Sequence, residues 1–247
     1  MSVVTAPYEV LAPYYNRVMA HVDYAGWGRH LRSLWRKYHG SKPPQRVLEI
    51  AAGTCPFAAK PLFPKAFAVY TDLNFSMLRA APGESIRFQS DAKAIPLKGT
   101  FDLVLMIYDS FNYLLNKEEI LSTLRETRRV LKPGGLFLFD VATETCSRQY
   151  FADSTDFEEL DGASSVRVSR YDAKTGMQLN LFTFFVLGKD GRYDRREEIH
   201  RQRIYPAAAL QKLAKRAGFT VRDCLADFTL NPGSDKNERL HFVLQRV

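Results

Sequence analysis

Cysteine is scarce in this chain and never closely paired. Cys55, Cys146 and Cys224 are the three in 247 residues, with no CxxC pair and no His/Cys cluster of metal-ligand spacing. A reducing compartment and no structural metal are expected. Long apolar runs are missing too: nothing approaches the roughly 18 residues that cross a bilayer. The opening MSVVTAPYEV lacks the basic start and apolar centre of a leader. A cytoplasmic protein with no membrane partner is therefore expected. Internal repeats and low-complexity tracts are also absent, and nothing in the pattern fixes an oligomeric state.

What is present fits a globular enzyme-sized unit. Hydrophobic residues make up 46% and charged residues 25%, near the average for soluble domains. A length of 247 suits one α/β core with an insertion. The net charge of +8 permits an anionic partner. The basic residues are interleaved with acids, as in Arg125-Glu126 and Arg195-Arg196-Glu197-Glu198, which describes a solvated surface rather than a nucleic-acid stripe.

Residues 8 to 38 carry seven Tyr and Trp residues among helix formers and predict one or two helices. Ser41-Lys42-Pro43-Pro44 ends them, because proline removes a donor and drives its predecessor out of the helical region. From Arg46 short apolar runs alternate with helical stretches. Strands are expected at 47–50, 66–70, 86–88, 101–107 and 136–141, and helices at 56–63, 74–80 and 117–131. Strands separated by helices imply parallel pairing and a doubly wound α/β sheet. The helix from Lys117 has Asn116 as N-cap and Lys132-Pro133-Gly134-Gly135 as its stop, and Arg125, Arg128 and Arg129 read as its wet face. Beyond residue 164 the rhythm changes to strands 166–171, 177–187 and 193–205 joined by tight turns, an inserted antiparallel β-meander. A helix over 207–217 and strands at 220–228 and 240–245 return the chain to the first sheet.

In an open α/β sheet, ligands bind beyond the carboxyl ends of the strands. Four loops stand there. The first, Val47-Leu48-Glu49-Ile50-Ala51-Ala52-Gly53-Thr54-Cys55-Pro56, runs from a strand through small residues into a helix start, where a ligand can approach backbone N–H groups. Its single glycine is not the GxGxxG of dinucleotide binders, which disfavours a nicotinamide dehydrogenase. The second ends in Asp72, whose carboxylate can accept from both hydroxyls of a ribose, or can cap the next helix. The third, Ser90-Asp91-Ala92, could accept from an exocyclic adenine amine. The fourth, Ile107-Tyr108-Asp109-Ser110-Phe111-Asn112-Tyr113, is polar and aromatic after an apolar strand; buried structural rings are the competing reading.

Together these loops resemble the class I S-adenosylmethionine (SAM)-dependent methyltransferases over nearly the whole chain. LEIAAGT is similar to that family's first motif, and Leu131 to Gly135 to its turn into the fifth strand. The small-molecule branch, with glycine/sarcosine-type and aminosugar N-methyltransferases, is the nearest resemblance. It rests on the Tyr-rich N-terminus, the loop 109–113 and the inserted sheet. The implied fold is a Rossmann-like seven-stranded sheet with N-terminal helices. Residues 1–43 would be a helical lid, 44–145 and 206–247 the SAM-binding core, and 146–205 a substrate lid.

The resemblance implies that SAM is the cofactor and a small molecule the methyl acceptor. Glu49 would face the methionine end and Gly53 would pass beneath the cofactor, with Ala51, Thr54, Leu73, Ile107 and Tyr108 also around it. Asp72 would hold the ribose, and Asp91 with Ala92 the adenine. Tyr8 and Tyr15 would cover the site, unless they only pack the first helices. Asp109, Tyr113 and His200 are candidates to accept a proton, although a lone His in so charged a strand also reads as a surface residue. Asn112, Arg201 and Arg203 are candidate acceptor-binding residues. Two positions depart from the family pattern: Cys55 replaces a usual glycine, and Asn16 a usual acid. An RNA methyltransferase and a non-catalytic SAM-binding protein are the rival readings.

Overall fold

A computed structural model describes residues 3–247, so the first two residues of the expected lid and leader-free start lie outside the described residues. In chain order the elements are β1 (Val3–Thr5), α1 (Tyr15–Val18), α2 (Tyr24–His39), β2 (Arg46–Ile50), α3 (Pro56–Ala59) and β3 (Phe67–Asp72). There follow α4 (Phe75–Ala80), β4 (Ile86–Gln89), β5 (Phe101–Met106), α5 (Lys117–Val130), β6 (Leu131–Ala142) and α6 (Glu144–Tyr150). The chain then makes β7 (Asp153–Leu160), β8 (Ala163–Asp172), β9 (Met177–Leu187) and β10 (Tyr193–Arg203). It closes with α7 (Ala207–Arg216), β11 (Phe219–Ala226) and β12 (Arg239–Arg246).

Seven strands form one sheet in the order β11-β12-β6-β5-β2-β3-β4. β2 pairs parallel with β3 and β5, and β12 is antiparallel to both of its neighbours. Side chains alternate across a strand, so each strand feeds two cores. Leu48, Ile50, Val104, Met106 and Phe137 pack with Ile120 and Leu124 of α5 and Leu213 of α7. Val47, Leu103, Leu105 and Leu138 pack on the other face with Trp27, Leu31 and Leu34 of α2. This is the doubly wound sheet that the sequence predicts.

A second sheet of five strands runs β1-β10-β9-β8-β7. Its middle is the expected meander, but both edges are unexpected. β7 is acid-rich and exposed, with no apolar alternation, the dress of a protected edge strand. β1 lies parallel along β10 through Val4 and Glu197, joining the N-terminal segment to the inserted sheet. A third apolar cluster fills the seam between them, with Leu11, Leu160, Ala163 and Phe184 packed by Tyr8 and Tyr15.

Two expectations differ in extent. The helix predicted for 56–63 stops at Ala59, because Pro61 drives Lys60 out of the helical region, to φ −130°. The basic face of α5 is engaged rather than free: Arg129 donates to the carbonyls of Leu97 and Ile95, and Arg128 to that of Gly218. The capping of α5 is as predicted, with Asn116 Oδ1 accepting from Glu119 N at 2.9 Å.

Candidate active site

A cavity of 400 Å³ opens beyond the carboxyl ends of β2, β3, β4 and β5, where the chain leaves each strand. Ala51 and Gly53 form its floor, with Asp72, Leu73, Asp91 and Ala92 on one side. Tyr8, Tyr15, Tyr108 and Tyr113 roof and close the other side.

The floor turns tightly. Ala51, Gly53 and Cys55 all have left-handed φ, at 52°, 58° and 51°. Glycine suits that conformation and other residues resist it. Gly53 has a second reason, since a Cβ there would lie 3.2 Å from the Met77 methyl. Cys55 has neither freedom and sits fully buried in the same geometry, which gives the family departure a physical cost.

Asp72 ends β3 with both carboxylate oxygens engaged by backbone. Gly53 N donates to Oδ2 and Asn74 N to Oδ1, each at 2.8 Å. Burial pushes its acid strength down, and these amide donors pull it back. Asp72 lines the cavity, and a carboxylate oxygen can accept more than one hydrogen bond. Glu49 is buried in β2 without a charged partner, and burial, reinforced by the charge of Asp72, pushes its carboxyl up to about 8. Asp91 lines the cavity and accepts from Lys93 N at 2.8 Å. Thr54 is buried below, donating its hydroxyl to Asn16 Oδ1 at 2.6 Å, so the second departure from the family pattern ties α1 to the floor.

After β5 the backbone takes two successive left-handed steps, Tyr108 at φ 67° and Asp109 at φ 48°. Such strain persists only where neighbours fix it. Asp140, fully buried in β6, accepts from Tyr108 N at 2.6 Å and Asp109 N at 3.0 Å. Arg239 pairs with Asp140 and with Asp109, the latter at 3.1 Å, and its guanidinium lies 5.6 Å from the ring centres of Trp27 and Tyr108. Burial alone would weaken Asp140 as an acid, and Arg239 acts against that.

The roof is held from the inserted sheet. Glu198 of β10 is fully buried, and its carboxylate accepts from Tyr8 N at 2.9 Å and Leu11 N at 3.1 Å, as well as from Val10 N. His200 Nε2 lies 2.9 Å from the same carboxylate. His200 Nδ1 lies 3.0 Å from the Tyr113 hydroxyl, which lies 2.7 Å from the Tyr8 hydroxyl. Burial raises both tyrosines well above the usual phenol range.

The structure thus brings Tyr8, Tyr15, Ala51, Gly53, Asp72, Leu73, Asp91, Ala92, Tyr108 and Tyr113 to one cavity. His200 stands behind Tyr113 and is only 2% exposed, which overturns its reading as a surface residue. Ile107 is buried in the core beside α2. Asp109 faces Arg239 and Gln202, which donates to its Oδ2 at 2.7 Å. Asn112 spends its amide on backbone, donating to the carbonyls of Ala142 and Arg203 and accepting from Ala142 N. Arg201 and Arg203 alternate with Gln202 and fall on the opposite face of β10, Arg201 exposed and Arg203 against Tyr205.

Sequence reasoning missed Asp140, Glu198 and Arg239. Asp140 gave a signal, an acid inside the apolar run Leu136 to Val141. Glu198 and Arg239 sit among other charges and gave none. The cavity suits SAM. Gly53 brings backbone to the cavity floor, the Asp72 carboxylate lines its side with acceptor capacity beyond its two amide contacts, and Leu73 and Ala92 offer apolar surface for a flat base. Among the described residues no cluster of potential ligands suits a metal ion.

The comparisons agree with this geometry. Residues 47–135 match the family model described as a methyltransferase domain. A protein of Geobacillus sp. (strain WCH70), provisionally named a methyltransferase, is 32% identical over 97% of this chain and 99% of its own. A SAM-dependent methyltransferase from Clostridium acetobutylicum ATCC 824 shares the fold at TM-score 0.80 and 20% identity, over 97% of this chain and 98% of that one. The sugar N-methyltransferase KedS8 from Streptoalloteichus sp. ATCC 53650 does so at TM-score 0.73 and 21% identity, over 95% and 91%. The chain belongs to the class I SAM-dependent methyltransferases.

Proposed function

We propose that this methyltransferase acts on a nitrogen or oxygen atom of a small molecule enclosed between the core, residues 44–145 and 206–247, and two covers, residues 1–43 and 146–205. The observation that carries the reading is the pair of half-buried hydroxyls, Tyr8 and Tyr113, that meet 2.7 Å apart in the wall of the cavity. A closed, aromatic roof excludes water and leaves room for a small acceptor rather than a polymer. KedS8, a sugar N-methyltransferase, shares this fold over 95% of the chain.

SAM, when bound, supplies an electrophilic methyl group on a sulfonium. The protein's own residues do the rest by alignment, since the displacement needs no covalent intermediate. Asp72 would take the ribose hydroxyls, Asp91 and Ala92 the adenine side, and Glu49 the region of the ammonium. Tyr15 and Tyr108 line the cavity, where an aromatic ring would stabilise the sulfonium. Asp109, locked to Arg239, holds the Tyr108 turn in place. Asn112 fastens the end of β6 to the end of β10.

The charge balance supports a small acceptor over RNA. Arg128, Arg129 and Arg246 donate to carbonyls of their own chain, so part of the positive charge is structural. A cytoplasmic setting fits three unpaired cysteines. Isothermal titration with SAM and its demethylated product, beside a methylation screen over amines, hydroxyls, carboxylates and RNA, tests the reading. Tight binding with turnover of an amine or hydroxyl is expected. Binding without turnover, or turnover of RNA alone, would overturn it.

A further inference from the structure

Glu198, His200, Tyr113 and Tyr8 close a ring of hydrogen bonds that starts and ends on the roof of the cavity. Glu198 Oε2 accepts from Tyr8 N and faces His200 Nε2, both at 2.9 Å. Glu198 Oε1 accepts from Val10 N and Leu11 N. A carboxylate so surrounded is an acceptor only. In the neutral imidazole His200 Nε2 then carries the single ring hydrogen, which leaves Nδ1 a lone pair toward the Tyr113 hydroxyl at 3.0 Å. Tyr113 donates to His200, and Tyr8 in turn donates to Tyr113 across 2.7 Å. The direction of every bond is fixed by the one buried carboxylate.

We propose that this chain of bonds is a proton relay, with His200 as the terminal base and Glu198 as the positioning residue that sets its tautomer, serving an acceptor that must lose a proton. It rests on the proposed methyl transfer to nitrogen or oxygen. In that step the acceptor atom bonds the methyl carbon, and the sulfur keeps the electron pair of the broken C–S bond. The acceptor's proton passes to the Tyr8 oxygen as Tyr8 passes its own to Tyr113 and Tyr113 passes its own to His200 Nδ1. The imidazolium formed is paired with Glu198, and no charge is left on either phenol.

Three features support the assignment. The two phenols hold their protons strongly because they are buried, so they conduct rather than store a charge. The titratable groups against the imidazole are Glu198 on its own strand, Tyr113 from the loop after β5 and Tyr8 from the N-terminal segment. Phe182 of β9 is an apolar wall at 4.9 Å, and the charge of Asp109 acts on Tyr113 and Tyr8. The same carboxylate also holds Tyr8 in its left-handed backbone, φ 65°, so the relay is complete only when the N-terminal segment is seated.

Nuclear magnetic resonance of histidine labelled with nitrogen-15, on the whole protein without ligand, tests the wiring whether or not an acceptor is known. His200 is expected with hydrogen on Nε2 and a hydrogen-bonded lone pair on Nδ1. Tyr113→Phe should move the Nδ1 resonance toward that of a free lone pair, and Glu198→Gln should give a mixture of tautomers. A hydrogen on Nδ1 in the wild type, or an Nδ1 resonance indifferent to Tyr113→Phe, overturns the proposal. With an amine or hydroxyl that turns over, His200→Gln should lower kcat on the order of 100-fold. It should also abolish the acid limb of the pH profile while leaving SAM affinity intact. An unchanged kcat and profile would equally overturn it. Failure of the methylation screen would instead sink the acceptor class and leave the tautomer result standing.

Discussion

Two buried carboxylates hold two left-handed tyrosines on either side of one cavity, and they belong to sheets of opposite character. Asp140 stands in the seven-stranded sheet among apolar neighbours and fixes Tyr108. Glu198 stands in the five-stranded sheet, whose inner face is polar: Ser165, Ser169, Gln178, Asn180, His200 and Gln202 are all buried with it. The first sheet buries mostly carbon and admits two acids, Glu49 and Asp140. The second buries linked polar groups, Gln178 with Gln202 and Glu198 with His200, so that loss of one leaves its partner unsatisfied. The apolar core should therefore tolerate loss of one polar group better than the inserted sheet does.

The largest effect is expected in the inserted sheet. Glu198→Ala strands three backbone donors and His200, at about 1–3 kcal/mol for each buried unsatisfied group, so a loss of at least about 4 kcal/mol is expected. Hydrogen exchange should show the amides of Tyr8, Val10 and Leu11 opening while those of β2 and β5 stay protected. Uniform loss across both sheets would erase the contrast. In the seven-stranded sheet, Asp72→Ala should weaken SAM binding by about 2–3 kcal/mol, roughly 30–150-fold, by calorimetry, with the Tyr8 amide still protected. Unchanged affinity would remove the cavity from the cofactor.

Glu49 gives a pH test of the same sheet. Unfolded, it ionises from near 4.5; folded, burial holds its proton until about 8. Within that window the unfolded chain binds fewer protons, so stability falls as pH rises and levels off above it. Glu49→Gln should abolish that slope. Its advantage over wild type should grow by about 2 kcal/mol between pH 5 and pH 7 in denaturant titrations. A constant difference would mean that the carboxyl is not held neutral. The smallest effect concerns the left-handed Cys55. Cys55→Gly and Cys55→Ala both lose the sulfur, but only glycine relieves the backbone. The glycine variant should be more stable by about 1 kcal/mol in thermal melts. Equal melting would show that the turn carries no strain.

How far the sequence could be read follows from the same contrast. In the core, strands such as Val47 to Ile50 and Phe101 to Ile107 announce themselves, because burial on both faces demands apolar residues throughout. The acids at their ends, Asp72 and Asp91, stand out against that background, and both line the cavity. In β10, Arg195-Arg196-Glu197-Glu198-Ile199-His200-Arg201 offers charge on both faces, and nothing in the run tells the wet face from the dry one. Arg201 and Arg203 were consequently chosen where Glu198 was not. Asn112 misled for a related reason: an amide beside a cavity and an amide clamping two strands look alike in sequence. β1 and β7 were missed because edge strands need little apolar surface.

The sequence alone determined the doubly wound α/β core, the meander inserted in it, and the loops that line the cavity, since these depend on local periodicity and on which residues permit tight turns. Only the tertiary structure decided which charges are partners. The Glu198 carboxylate meets amides some 190 positions earlier in the chain, and Arg239 reaches Asp109 across 130. A charged side chain carries no mark of its partner until folding removes the water between them.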